Sequence, residues 1–275
     1  MLTGKQKAEL EGFFTGEGLT ELSIQQSREL ASQIKIPLGA VESFALEKGI
    51  FPSRYERNKG SIGIEGQKKL LKSKVIVVGL GGLGGYVTEA LGRLGTGQIV
   101  GVDSGIFDET NLNRQIFAKE DNLVEKKAEE AGKRLEEVNH AVVFTGIASS
   151  FDKLDDEIWN DADLVFDCLD NISDRLGLAA TCSDAKVPLI HGAIAGWYGQ
   201  VAVIWPETTM LEKIYKNQKF GIEQNIGTPV FTAAAAASLM TAEGVKILTG
   251  KNLKREQKML FFDLLEDEWQ TIRFQ

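Results

Sequence analysis

The feature that most constrains this chain is the alternation, from Lys74 onward, of short and wholly apolar runs with helically spaced segments. KVIVVG (74–79) precedes a helical spacing over Gly82 to Leu94, and QIVGVD (98–103) precedes one over Val124 to Val138. AVVFTGI (141–147) and DLVFDC (163–168) come next, then a helix over Asn171 to Ala185 and PLIHGAI (188–194). A strand that is apolar at nearly every position is buried on both faces. The intervening helices supply the cover and imply parallel pairing. Further on, GQVAVIW (199–205) reads as another strand and Val230 to Leu248 as a long alanine-rich helix. MLFFDLL and WQTIRF read as a closing hairpin about Glu266-Asp267-Glu268. The expected fold is α/β: a Rossmann-like, mostly parallel sheet with helices on both faces, extended by antiparallel strands toward the C-terminus and preceded by a short helical appendage.

The appendage is expected over residues 1–53 and the larger domain over 54–275. Ser23 to Ile34 and Leu38 to Lys48 read as helices, the second opened by Pro37 and closed by Gly49. Such a pair could read DNA. However, residues 1–50 carry five basic and seven acidic side chains, and Glu42 and Glu47 stand where a nucleic acid would require cations. A net charge of −8 over 275 residues and a pI near 5.1 argue against any large nucleic-acid surface. The start, MLTGKQKAEL, has no apolar signal core, and the most apolar window, TPVFTAAAAASLM, is short and alanine-rich. A cytoplasmic protein without a membrane span is therefore expected. Cys168 and Cys182 are the only cysteines and neither belongs to a CxxC pair, so two reduced thiols and no zinc are expected. Pro206 to Pro229 is left as a long polar connection, of the kind that is usually functional or mobile.

The first strand runs into Gly79-Leu80-Gly81-Gly82-Leu83-Gly84, a GxGxxG placed between strand and helix, and Asp103 ends the next strand where a ribose-binding acid belongs. Backbone N–H groups at the helix start would meet phosphate. A nicotinamide enzyme fits less well, because His140 and His191 are the only histidines and both read as structural. After Asp103 come Asn111, Arg114 and Lys127, and after a later strand Asp170, Asn171 and Arg175, all at carboxyl ends of strands or in the loops beyond. A carboxylate attacking the α-phosphorus of ATP is already ionised at neutral pH and needs no general base. The demand is instead for an arginine fork, a lysine, and magnesium held by an aspartate. Arg114, Lys127 and Asp170 could supply these parts. Each also has a plain structural reading: Arg114 paired with Asp108, Lys127 in a charged run, Asp170 capping a helix.

RYERN (54–58), GLGGLGG (79–85), VDSGIFDETNLNRQ (102–115), the KKA at 126–128 and DCLDNISDR (167–175) resemble, in order, the motifs of the ThiF/MoeB/HesA adenylyltransferases, bacterial relatives of ubiquitin-activating enzymes. The resemblance runs from about Arg54 to the final hairpin. It implies ATP-dependent adenylation of the C-terminal glycine of a small ubiquitin-like sulfur-carrier protein, with release of pyrophosphate. By motif position, Gly81 and Gly82 would meet the phosphates and Asp103 the ribose. Asn111 and Asn171 would contact the nucleotide, and Arg114 and Lys127 would steady the phosphates. Asp170 would hold Mg2+, and Arg57 would reach the outer phosphates, in a homodimer acting on the partner's ATP.

Three departures stand out. The two CxxC pairs that hold zinc in many members are absent, Asn58 replaces a usual glutamine, and Gly105 stands where a second acid is common. The first departure weakens assignment to thiamine or molybdopterin synthesis specifically, but not adenylation, because the missing cysteines are not expected to touch ATP. Two alternatives share some features: dehydration of threonylcarbamoyl-adenosine on tRNA, against which the acidic charge argues, and a non-catalytic nucleotide-binding scaffold, which would have no need to keep Arg114, Lys127 and Asp170 together.

Overall fold

The computed structural model describes residues 2–15, 19–216, 226–251 and 254–274. It begins with helices α1 (Gly4–Phe14), α2 (Ile24–Ile34) and α3 (Leu38–Glu47), and two short strands, β1 (Glu21–Leu22) and β2 (Phe51–Pro52), that pair in parallel. Ser23 caps α2 through a capping box, and Gly49 follows α3 at φ +82°. The appendage helices, which the sequence indicates from Ser23 onward, thus include an earlier one. Leu10, Phe14, Leu22, Leu30, Ile34, Val41 and Phe44 close into an apolar cluster of their own. A 3-10 helix over Ser53–Asn58 then leads to α4 (Gly63–Lys72).

The main sheet contains β3 (Lys74–Val78), β4 (Gln98–Val102), β5 (Val143–Ile147), β6 (Leu164–Asp167), β7 (Leu189–Ala195), β8 (Tyr198–Ile204), β9 (Lys258–Asp263) and β10 (Glu268–Arg273). Their order is β10-β9-β8-β7-β6-β3-β4-β5: parallel from β5 through β7, antiparallel from β7 through β10. The α/β expectation, including the C-terminal antiparallel strands, holds. Alternate residues of β3 explain why its run is apolar throughout. Val75 and Val77 pack with α5 (Gly82–Leu94), α6 (Lys127–Val138) and α10 (Val230–Thr249), while Ile76 and Val78 pack with α8 (Ile172–Asp184) and with Trp159 of α7 (Asp156–Asn160). Although α10 is long and apolar enough by length and composition to cross a bilayer, its Ala233, Ala236, Ala237 and Met240 are buried against α5 and the sheet.

Two local expectations are corrected. The helix read over Val124 to Val138 begins at Lys127. Val124 instead takes φ +71° and donates to Phe107 O, while Phe107 N donates back to Glu125 O and Lys126 bridges Ile106, so 124–126 is a turn held as a short edge along the loop after β4. The connection from Pro206 to Pro229 is not uniformly a polar loop. It carries α9 (Met210–Ile214), and Met210, Leu211 and Tyr215 are buried in the core beneath the sheet, because three large apolar groups outweigh the polar residues around them. Its stretch 217–225 lies outside the described residues.

Candidate active site

The parallel strands run β5-β4-β3-β6-β7, so successive connections leave β3 in opposite directions, and the crevice between the carboxyl ends of β3 and β6 is where such a sheet binds ligands. A cavity of about 600 Å³ opens there. Its floor is the turn between β3 and α5. Gly79 takes φ +88°, and a Cβ on Gly84 would lie 1.7 Å from Gly79 O, so only glycine lets the helix start this close to the strand. Gly81, Gly82 and Leu83 line the cavity, and the first-turn N–H groups of α5, which have no helical acceptor, make its floor suited to anions.

Around that floor stand Asp103, Arg114, Lys127, Asp170 and Asn171. Both carboxylate oxygens of Asp103 are fixed by backbone, Oδ2 accepting from Leu80 N and Oδ1 from Gly105 N, each at 2.7 Å. Arg114 lies across Gly82, its Nη1 donating to Thr110 O and to Asn113 Oδ1 at 2.9 Å each. Among the described residues it has no carboxylate partner, and the pairing with Asp108 does not form. Lys127, the first residue of α6, is held by its N–H to Gly105 O at 3.1 Å and places Nζ 6.0 Å from the centre of the Phe107 ring, with no hydrogen bond or ion pair at Nζ among the described residues. The edge formed by 124–126 is what delivers it to the cavity. Asn171 is the N-cap of α8, its Oδ1 accepting from Asp174 N at 2.8 Å, which leaves Asp170 exposed at the rim with no hydrogen-bond or ion-pair partner among the described residues.

Two of the expected residues stand elsewhere. Asn111 is buried under the loop, where its carbonyl accepts from Arg114 N and Gln115 N, and it does not line the cavity. Arg57 is exposed on the 3-10 helix and likewise does not line it. The Tyr55 ring, two residues earlier, sits against Gly95 beyond the C-terminal end of α5. The cavity is at the other end of that helix, about 20 Å away for its 13 residues.

Gln115 is a lining residue that the sequence reading did not single out. It is buried beside Gly81, and its Oε1 has no hydrogen-bond partner among the described residues, a costly arrangement unless a ligand supplies one. Its place beside Arg114 in NRQ was the available signal. Beneath the cavity lies a buried network that was not legible either. Asp167 Oδ2 meets His191 Nδ1 at 2.7 Å and Arg175 Nη1 at 3.2 Å, and His191 Nε2 meets the Tyr215 hydroxyl at 3.1 Å. Burial pushes Asp167 up, but the charge of Arg175 and the hydrogen bond with His191 outweigh it and hold the carboxyl below its usual range; burial lowers His191 itself. Asp167 thus anchors β6 and β7 just below the loop carrying Asp170.

The family model that matches this arrangement is that of the ThiF family, over residues 55–275. The chain belongs to the ThiF family. Among its relatives in that family, the molybdopterin-synthase adenylyltransferase of Haemophilus influenzae is 32% identical over 203 residues, which cover 70% of this chain and 82% of the relative. The sulfur carrier protein ThiS adenylyltransferase of Escherichia coli is 29% identical over 232 residues, covering 80% and 90%. In three dimensions the chain resembles E. coli MccB crystallised with ATP, with a TM-score of 0.68 at 20% identity over 90% of this chain and 82% of that one.

Proposed function

We propose that the protein uses ATP to adenylate the C-terminal carboxylate of a small ubiquitin-like sulfur-carrier protein, releasing pyrophosphate. The observation that carries this reading is the set of uncommitted charges around one anion-binding floor. Among the described residues Arg114 and Lys127 have no carboxylate within ion-pair distance, and Asp170 is released from capping by Asn171. A scaffold that only held a nucleotide would have little reason to keep these three charges unpaired. The relatives named adenylyltransferases, one of them for the sulfur carrier protein ThiS, support the same chemistry.

The α-phosphate would lie over Gly81 and Gly82, with Asp103 receiving the ribose. Arg114 and Lys127 would stabilise negative charge as it builds on the phosphoryl oxygens, fixed in place before reaction. Asp170 is an oxygen ligand suited to Mg2+, which binds through one or two carboxylates together with substrate phosphates and would neutralise the departing pyrophosphate. Arg57 does not line the cavity of its own chain, and its neighbour Tyr55 packs at the opposite end of α5. We assign it to the outer phosphates of ATP in the partner of a two-fold dimer.

The test is exchange of labelled pyrophosphate into ATP with candidate carriers supplied one at a time. Exchange that requires a carrier with an intact C-terminal glycine supports the reading. Exchange or ATP turnover driven by tRNA, or none with any carrier, counts against it.

A further inference from the structure

The N-terminal helices meet the rest of the molecule at a buried ionic contact that the cavity itself does not need. Glu42, on α3, is fully buried, and the Arg54 side chain is 14% exposed. Arg54 Nε and Glu42 Oε1 lie 3.0 Å apart but out of hydrogen-bond alignment, and both carboxylate oxygens, Nε and Nη2 are buried without an aligned partner among the described residues. Such a pair contributes little to stability, and its best-attested use is to fix a register.

What it fixes is the 3-10 helix over Ser53–Asn58. Arg54 Nη1 also donates to Asn139 Oδ1, and Asn139 Nδ2 lies 2.9 Å from the Tyr55 hydroxyl and from Gly92 O. The Tyr55 ring closes on Gly95, while Asn58 donates to Gln67 Oε1 at 3.0 Å and Gln67 donates to Leu94 O at 2.8 Å. On the appendage side, α3 is pressed onto the turn after Asn139: a Cβ on Gly39 would lie 2.5 Å from Ala141 O. Between these anchors Arg57 is exposed and, among the described residues, has no hydrogen-bond or ion-pair partner. A clamped backbone carrying an uncommitted cation is the arrangement expected of a group that must meet a ligand outside its own chain.

We propose that Glu42 is a positioning residue: by anchoring Arg54 it sets the direction in which Arg57 leaves the surface, so that the N-terminal helices take part in ATP recognition across the dimer. This rests on the assignment of Arg57 made above.

The effect can be read without a carrier by titrating the α,β-methylene analogue of ATP, and separately AMP, into the full-length protein at pH 8, where the Glu42 carboxyl is ionised. Only the first has outer phosphates. Arg57→Ala is expected to weaken the analogue about tenfold or more and to leave AMP unchanged. Glu42→Gln and, from the other side of the pair, Arg54→Lys are expected to weaken the analogue likewise while sparing AMP. Combined with Arg57→Ala, Glu42→Gln should add no further loss, since the two would act as one unit. Glu42→Gln and Arg54→Lys proteins that bind the analogue like wild type, or whose losses extend equally to AMP or add to that of Arg57→Ala, overturn the positioning role. Undiminished analogue binding by Arg57→Ala overturns the assignment of Arg57 itself, which is a separate result.

Discussion

Asp170 is available because Asn171, one residue on, caps α8 in its place, and Arg114 is available because its guanidinium is held by a carbonyl and an amide oxygen instead of a carboxylate. Charges held open in this way are available to a ligand. Replacing Asp170, Arg114 or Lys127 by alanine is expected to lower carrier-dependent pyrophosphate exchange about a hundredfold or more. An Asp170→Ala protein with normal exchange would remove its role toward magnesium. Glu42 gives a prediction about stability. Burial pushes its carboxyl up to about 7, against the opposing charge of Arg54 and the nearby Tyr55 hydroxyl, from 4.5 when unfolded. Between those values the folded chain keeps a proton that the unfolded chain has released, so this residue lowers stability as pH rises from about 4.5 to about 7. Glu42→Gln does not titrate and should have the flatter profile, gaining about 3 kcal/mol on wild type between pH 4.5 and pH 8. Denaturant unfolding across that range measures it, and parallel profiles would show that the carboxyl is not perturbed.

At the scale of the element, the start of α5 is the least tolerant feature. Gly84→Ala would drive a methyl into Gly79 O and force the helix off the strand, at a cost of about 1–3 kcal/mol and with weakened binding of AMP and ATP alike. Unchanged binding and melting would mean that the turn can relax. Boundaries were legible where one local signal decided them: α5 runs over Gly82–Leu94 as its spacing indicates, ended by Gly95 at φ +79°. They were not legible where tertiary contacts decided. Nothing local to Val124 announces that it will pair with Phe107 rather than open a helix, yet that pairing places Lys127. Likewise, Met210, Leu211 and Tyr215 look incidental in a polar stretch until the core that accepts them exists. Cys168 and Cys182 are both buried, and burial raises both thiols, Cys182 to about 12, so neither supplies thiolate near neutral pH. The carrier is therefore expected to leave as acyl adenylate, with no thioester to this chain. A covalent carrier adduct seen by mass spectrometry in wild type, cleaved by excess thiol and lost in Cys168→Ala or Cys182→Ala, would contradict this.

For the whole molecule, a mostly parallel sheet was implied by the alternation of strands and helices, and with it the end of the sheet at which the motifs gather, whereas the strand order emerges only in the structure. The relation of Arg57 to that site was not implied either, because it depends on α5 separating them by its full length. Before the first strand, a helix over α4 could have returned the chain to the phosphates. In the structure α4 instead leads from the 3-10 helix into β3, and Tyr55 stays against Gly95. An arginine fixed there serves an ATP only if a second copy brings its own cavity to it, and a closed two-fold dimer makes that exchange mutual. Arg57→Ala and Asp170→Ala are each expected to be inactive alone. Mixed under conditions that exchange subunits, they form dimers in which one site carries both lesions and the other carries neither. Random exchange of equal amounts makes half the dimers mixed, each with one good site of two, so about a quarter of wild-type pyrophosphate exchange should return. If Arg57 acted within its own chain, every site would keep a lesion, and no activity would return even when differently tagged subunits prove that exchange has occurred.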